Sequence, residues 1–234
     1  AGPMASSAVA SWRTHRLGSV GLVLALLAGV LLAGLTPSPA HAGVDDFSFE
    51  SLDVEYQLGR AEDGTSTLTV VETFVALFPE FDQNRGMRRA IPDSYLGAPL
   101  HPELVSITDE TGAPRAEETE SEDGYYSMTS RADDFVHGRQ TYVFTYTLQN
   151  VTHHFADTGV DEFYWNVNGV EWRQPFGRIT ARVTMPDDLE AARTGAQACY
   201  IGSQGSTQTC AIEDADGTIA ASAENVQPYQ TMTI

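Results

Sequence analysis

The chain contains no lysine; its 13 basic residues are all arginine, against 32 aspartates and glutamates. It has only two cysteines, Cys199 and Cys210, and no apolar stretch after Leu35 long enough to form a membrane-spanning helix of about 20 residues. No GxSxG, HExxH or EF-hand spacing occurs, so nucleophile-elbow hydrolases, zincin peptidases and calcium-loop sensors lose their usual signatures. Neither cysteine has a neighbouring base to make it a nucleophile, and the two do not form a CxxC redox pair. No repeat shows at solenoid or propeller periods. The sequence gives no catalytic signature, and neither catalysis nor a cofactor is expected.

The opening carries Arg13 and Arg16, then an apolar run from Val20 to Leu35, then Ala40-His41-Ala42. Basic, apolar and small-residue regions in that order form a secretory signal, with cleavage expected after Ala42. Ala1-Gly2-Pro3, ahead of Met4, is set aside as a foreign extension or an upstream start. Residues 43–234 then form the expected exported domain, with 11 arginines against 32 acids and a net charge of −21. Such a surface repels the phosphates of nucleic acids and anionic headgroups, so neither is expected as a partner. An exported chain meets an oxidising environment, so a Cys199–Cys210 disulfide is expected, stapling the Gly- and Ser-rich hairpin between them.

Beyond residue 42 the dominant period is two. Leu52, Val54, Tyr56 and Leu58 share one face of the first strand, and an Asp63-Gly64 turn returns the chain into "TLTVVETFVALF". Tyr142, Phe144, Tyr146 and Leu148 alternate in the same way, as do Ile179, Ala181, Val183 and Met185. Weaker candidates are 103–108, 125–130, 163–167, 197–201, 207–212 and 227–234, and only "PDDLEAAR" at 186–193 has helix character. The expected fold is an all-β, antiparallel, immunoglobulin-like sandwich of about nine or ten strands. The acidic segment 115–124 is expected to be a mobile loop. The sequence stops in the middle of a strand pattern, and a truncated C-terminal end is expected.

Two groups of residues are candidates for a ligand site. Arg85, Arg88 and Arg89 lie within five residues of an otherwise acidic chain. They suit an anion clamp, because guanidinium forks pair bidentately with carboxylates, or else they neutralise acids internally and hold a loop. Trp165 and Trp172 in "FYWNVNGVEWRQPFG" suit an aromatic platform for a sugar or peptide, or else plug the gap between sheets. The internal reading is preferred for both groups. His153-His154 with Asp157, Asp161 and Glu162 has metal-ligand chemistry, but adjacent residues on an extended chain point opposite ways, and no metal site is expected.

The segments "DGTSTLTVVETFVALF", "RGMRRAIP", "GRQTYVFTYTLQNV" and "DEFYWNVNGVEWRQPFGRITARVTMP", followed by the cysteine pair, occur in an order that resembles the DUF2207 family. The resemblance covers residues 47–234. It implies the extracytoplasmic β-sandwich of a bacterial membrane protein of unassigned function, with a membrane tether beyond Ile234. The role expected from it is binding or structural, toward a cell-envelope component or another membrane protein. The alternative is an envelope-polymer hydrolase acting through unrecognised carboxylates.

Overall fold

The computed structural model describes residues 43–234, so the expected signal segment, residues 1–42, lies outside the described residues. In chain order the strands are β1 (Ser48–Arg60), β2 (Ser66–Phe78), β3 (Gly86–Pro92), β4 (Ser94–Tyr95), β5 (Ala98–Pro99), β6 (Glu103–Thr108), β7 (Glu118–Glu122) and β8 (Tyr125–Arg131). They continue as β9 (Gly138–Gln149), β10 (Thr152–Phe155), β11 (Val160–Phe163), β12 (Phe176–Thr184), β13 (Tyr200–Gly202), β14 (Ala211–Ala215), β15 (Thr218–Val226) and β16 (Thr231–Thr233). A single helical turn, α1 (Asp187–Glu190), sits within the segment read as weakly helical.

The class is all-β as expected, but the strand count and arrangement differ from the immunoglobulin-like expectation. The main sheet has seven strands in the order β14-β15-β12-β1-β2-β9-β6, and β1 pairs with β12 in parallel. A three-stranded sheet, β3-β8-β7, and three two-stranded pieces make up the rest. The parallel pair has a physical origin. After β11 the chain passes through residues 164–175 without joining the main sheet and enters it at Phe176 beside Phe49, the first residues of β12 and β1 lying together, so the two strands run the same way.

The period-two reading gives the buried face. Leu52, Val54 and Tyr56 on β1, Tyr142, Phe144, Tyr146 and Leu148 on β9, and Ile179, Ala181 and Val183 on β12 are all nearly inaccessible. A bulge at Glu50 inserts one extra residue, so that Phe49 and Leu52 both face inward. Gly177 lies opposite that bulge, where a Cβ would stand 2.7 Å from the Glu50 carbonyl oxygen.

Some weak candidates shift. Residues 115–124 are not a loop throughout: β7 forms the edge of the three-stranded sheet, its five residues all exposed. Composition misleads there because an edge strand needs only backbone partners, and Glu118, Glu120 and Glu122 keep that edge from pairing with another chain. Residues 163–167 form no continuous strand: Phe163 ends β11, and beyond it the segment makes an isolated bridge, Asn166 to Thr233. Beside it, Trp165 and Ile234 exchange both backbone hydrogen bonds, at 2.9 and 3.0 Å.

Candidate functional site

The three neighbouring arginines of the sequence go to different places. On a strand, consecutive side chains face opposite ways. Arg89 turns into the core, 2% exposed, while Arg88 turns out to solvent and Arg85 lies on the loop before β3. They cannot clamp one ligand together. Arg89 meets Glu72 of β2, its Nε donating to Oε2 at 2.8 Å and Nη2 to Oε1 at 2.7 Å. Its remaining donors reach the carbonyls of Ala90, Val167 and Asn168 at 3.1–3.3 Å. One guanidinium thereby ties together the main sheet, β3 and the crossing segment, with its donors satisfied.

Sequence reasoning missed Glu72. Counting by twos from Leu68 and Val70 places it on the inward face, in a row between Val54 and Phe144. Tyr146 donates its hydroxyl to Glu72 Oε1 at 3.0 Å. Burial disfavours the Arg89 charge, yet the adjacent Glu72 carboxylate outweighs it and the Arg89 pKa is raised. Burial, reinforced by the Glu72 charge, pushes the Tyr56 and Tyr146 hydroxyls well above their usual range. Gly169, at φ +79°, leaves room for Arg89, whose Nη1 would lie 3.1 Å from a Cβ there.

Both tryptophans pack against the core. Trp165 is 5% exposed and stacks parallel to Phe163 at 6.3 Å. Trp172 is partly buried, edge-on to Phe49 at 4.9 Å and to Phe176 at 5.9 Å. The segment 161–186 thus joins two strands and closes the core on its way, and its rings do not form an open platform.

Cys199 and Cys210 are joined in a disulfide with Cα atoms 5.1 Å apart. His153 and His154 point apart on β10, His154 toward Asp161 at 2.8 Å and His153 toward the Phe155 ring at 4.8 Å. Among the described residues no three histidine, cysteine or acidic side chains gather as a metal site.

The open site lies at the start of β3 and the end of β8. A groove of about 350 Å³ is bordered by Arg85, Arg88, Arg131, Thr129, Phe135 and Val44, with no acidic side chain in its lining. Gly86 pairs directly opposite Arg131 and lies in the lining of the groove. Gly86 has φ +145°, and a Cβ on it would stand 1.9 Å from the Ser130 carbonyl oxygen, so the residue is fixed by both conformation and space. Arg85 lies over the Phe135 ring at 4.5 Å and donates to the Asp133 carbonyl, while Arg88 donates to Ser127 Oγ at 2.6 Å.

Six described arginines, Arg60, Arg89, Arg139, Arg173, Arg182 and Arg193, form ion pairs with carboxylates. The other five, Arg85, Arg88, Arg115, Arg131 and Arg178, form none among the described residues, although acids outnumber arginines almost three to one, and three of these five, Arg85, Arg88 and Arg131, share the groove. Arg131 was missed in the sequence because it closes an otherwise uncharged strand and stands far from the other two in the chain.

The structure is an all-β domain stapled by one disulfide, which is compatible with an extracytoplasmic location. The chain belongs to the family described as "Predicted membrane protein (DUF2207) N-terminal domain", whose pattern matches residues 48–234. No curated protein matches it. Among solved structures it is similar to leukotriene A4 hydrolase from Saccharomyces cerevisiae, at 10% identity and TM-score 0.46 over 88% of this chain and 32% of that one. An M1 zinc metallopeptidase from Deinococcus radiodurans is similar at 11% identity and TM-score 0.37, over 85% of this chain and 43% of that one. The chain therefore spans less than half the length of either enzyme. Neither likeness bears on activity.

Proposed function

We propose that residues 43–234 are the extracytoplasmic, non-catalytic module of a membrane protein, binding an anionic partner at the cell envelope through the Arg85–Arg88–Arg131 groove. The observation that carries this reading is the placement of three arginines without carboxylate partners around one groove of a chain this acidic. Like charges held together without counter-charges destabilise a fold, and departures of that kind concentrate at functional sites. The disulfide supports an exported location, and the family description supports a membrane protein of which this is the N-terminal part.

For the non-catalytic part, Glu72 is the buried carboxylate among the described residues, and Arg89 and Tyr146 already occupy it.

The test is thermal unfolding of residues 43–234 with a panel of organic and inorganic anions at constant ionic strength. The segment carries its own core, with buried side chains from Phe49 to Met232. Anions should raise the unfolding temperature, and Arg88→Gln with Arg131→Gln should remove the rise while leaving the unliganded fold intact. A flat response to every anion sinks the reading. Turnover of cell-wall fragments by the same domain would instead make it the hydrolase of the alternative.

A further inference from the structure

We infer that the groove is a phosphate site: the group it binds is inorganic phosphate or a phosphate monoester rather than a carboxylate or a zwitterion. This rests on the anion-binding reading above and narrows it. A carboxylate is matched by a single guanidinium fork. Here three guanidiniums, Arg85, Arg88 and Arg131, border one groove with the Thr129 hydroxyl among them. That supply of donors fits a group with more acceptor oxygens and up to two charges, which a phosphate has and a lone carboxylate lacks.

The lining has no acidic side chain, so the ammonium of an amino acid or of a zwitterionic headgroup finds no counter-charge inside the groove. Arg88 and Arg131 are diagonal neighbours across the Gly86–Arg131 pair, about 7–8 Å apart at the backbone, and Arg88, which donates to Ser127 Oγ on the side away from Arg131, must swing from that bond to share one group with it. The Phe135 ring under Arg85 holds that guanidinium in place and gives the groove one apolar wall, suited to the carbon chain of a phosphate monoester.

The net charge of −21 does not exclude this. It disfavours most a broad phosphate-coated surface, which would meet acidic residues all round, and opposes less a single group entering a groove whose lining is arginine without acid. The same charge favours a soluble phosphate monoester over a flat anionic bilayer as the source of the group.

The test is calorimetric titration of residues 43–234 with inorganic phosphate, glycerol 3-phosphate and citrate at one ionic strength, alongside sedimentation with phosphatidic acid vesicles. Phosphate and glycerol 3-phosphate should bind. Each of Arg88→Gln and Arg131→Gln should weaken them about tenfold, with Arg88→Lys weakening them less. Both side chains are exposed, so the variants keep the fold, and unchanged circular dichroism confirms it. Citrate binding as tightly as phosphate overturns the phosphate assignment and leaves an anion groove. No heat from any anion overturns both. Phosphate binding that survives both substitutions places the site elsewhere and overturns the proposal. Stronger capture by vesicles than by glycerol 3-phosphate identifies a lipid headgroup as the source, and the reverse identifies a soluble one.

Discussion

Glu72 and Arg89 form a two-pronged ion pair in the interior, with side chains 0% and 3% exposed, between a strand of the main sheet and a strand of the three-stranded sheet. A charge pair in such a place adds little net stability over an apolar pair of similar volume. Removing one partner is different, because it strands the other charge away from water. Arg89→Ala or Glu72→Ala should therefore cost about 3–5 kcal/mol, seen as a fall in the urea midpoint. Glu72→Leu combined with Arg89→Met should recover most of that loss. Single variants within about 1 kcal/mol of the parent would show that the pair does not hold the layers together.

The tyrosines around this pair predict an alkaline limit to stability. Burial raises the hydroxyl pKa of Tyr56 and Tyr146 well above 10.0, with the Glu72 charge adding to it, and burial also raises Tyr142. In the unfolded chain these groups ionise near pH 10. Above that pH the unfolded state has lost protons that the folded state keeps, so stability is complete below about pH 10 and declines as pH rises beyond it. The urea midpoint should fall steadily between about pH 10 and 12. Tyr56→Phe should flatten that fall and leave neutral-pH stability unchanged or higher, since the buried Tyr56 hydroxyl has no hydrogen-bond partner. An equally steep fall in Tyr56→Phe would show that other groups set the limit.

Gly86 should not tolerate a side chain. With φ at +145° and the Ser130 carbonyl oxygen 1.9 Å from a Cβ position, Gly86→Ala must push β3 off β8 where the groove begins. Backbone strain of this kind costs about 1–3 kcal/mol before the steric clash is added. The unfolding temperature should drop and anion binding should weaken together. Full stability in Gly86→Ala would contradict the strand pairing at Arg131.

The inward faces of β1, β9 and β12 were legible because a strand buried on one side alternates with period two, and Leu52, Tyr146 and Ile179 all follow it. The same rule, carried through β2, marks Glu72 as an inward carboxylate, but a charged letter on an apolar face is easily assigned to solvent. What period two cannot supply is pairing between distant strands. The parallel β1–β12 register depends on where residues 163–175 run, and that is decided by packing of Trp165 and Trp172. Likewise, Arg85, Arg88 and Arg89 read as a cluster along the chain, whereas strand alternation separates Arg89 and a pairing 45 residues away brings Arg131 to Arg88 in its stead. β7 escaped notice because an exposed acidic edge has the composition of a loop.

The disulfide has a reach beyond its own hairpin. Cys199–Cys210 closes a loop with a sequence separation of 11 and holds β13, whose Ile201 pairs with Met232 of β16. Met232 is fully buried, and its N–H donates to Asn168 Oδ1 at 2.9 Å. The Asn168 carbonyl is in turn one of the acceptors that seat Arg89. A loop this short contributes roughly 2–3 kcal/mol through the entropy of the unfolded chain. Reduction, or Cys199→Ser with Cys210→Ser, should remove that amount and do so unevenly. Amide exchange should quicken first at Ile201 and Met232, then around Asn168, while the central β1–β2 pairing stays protected. Because Arg89 rests on carbonyls from this same segment, the reduced protein should also lose more stability in Arg89→Lys than the oxidised protein does. Equal losses in the two redox states would mean that the staple and the buried ion pair act independently.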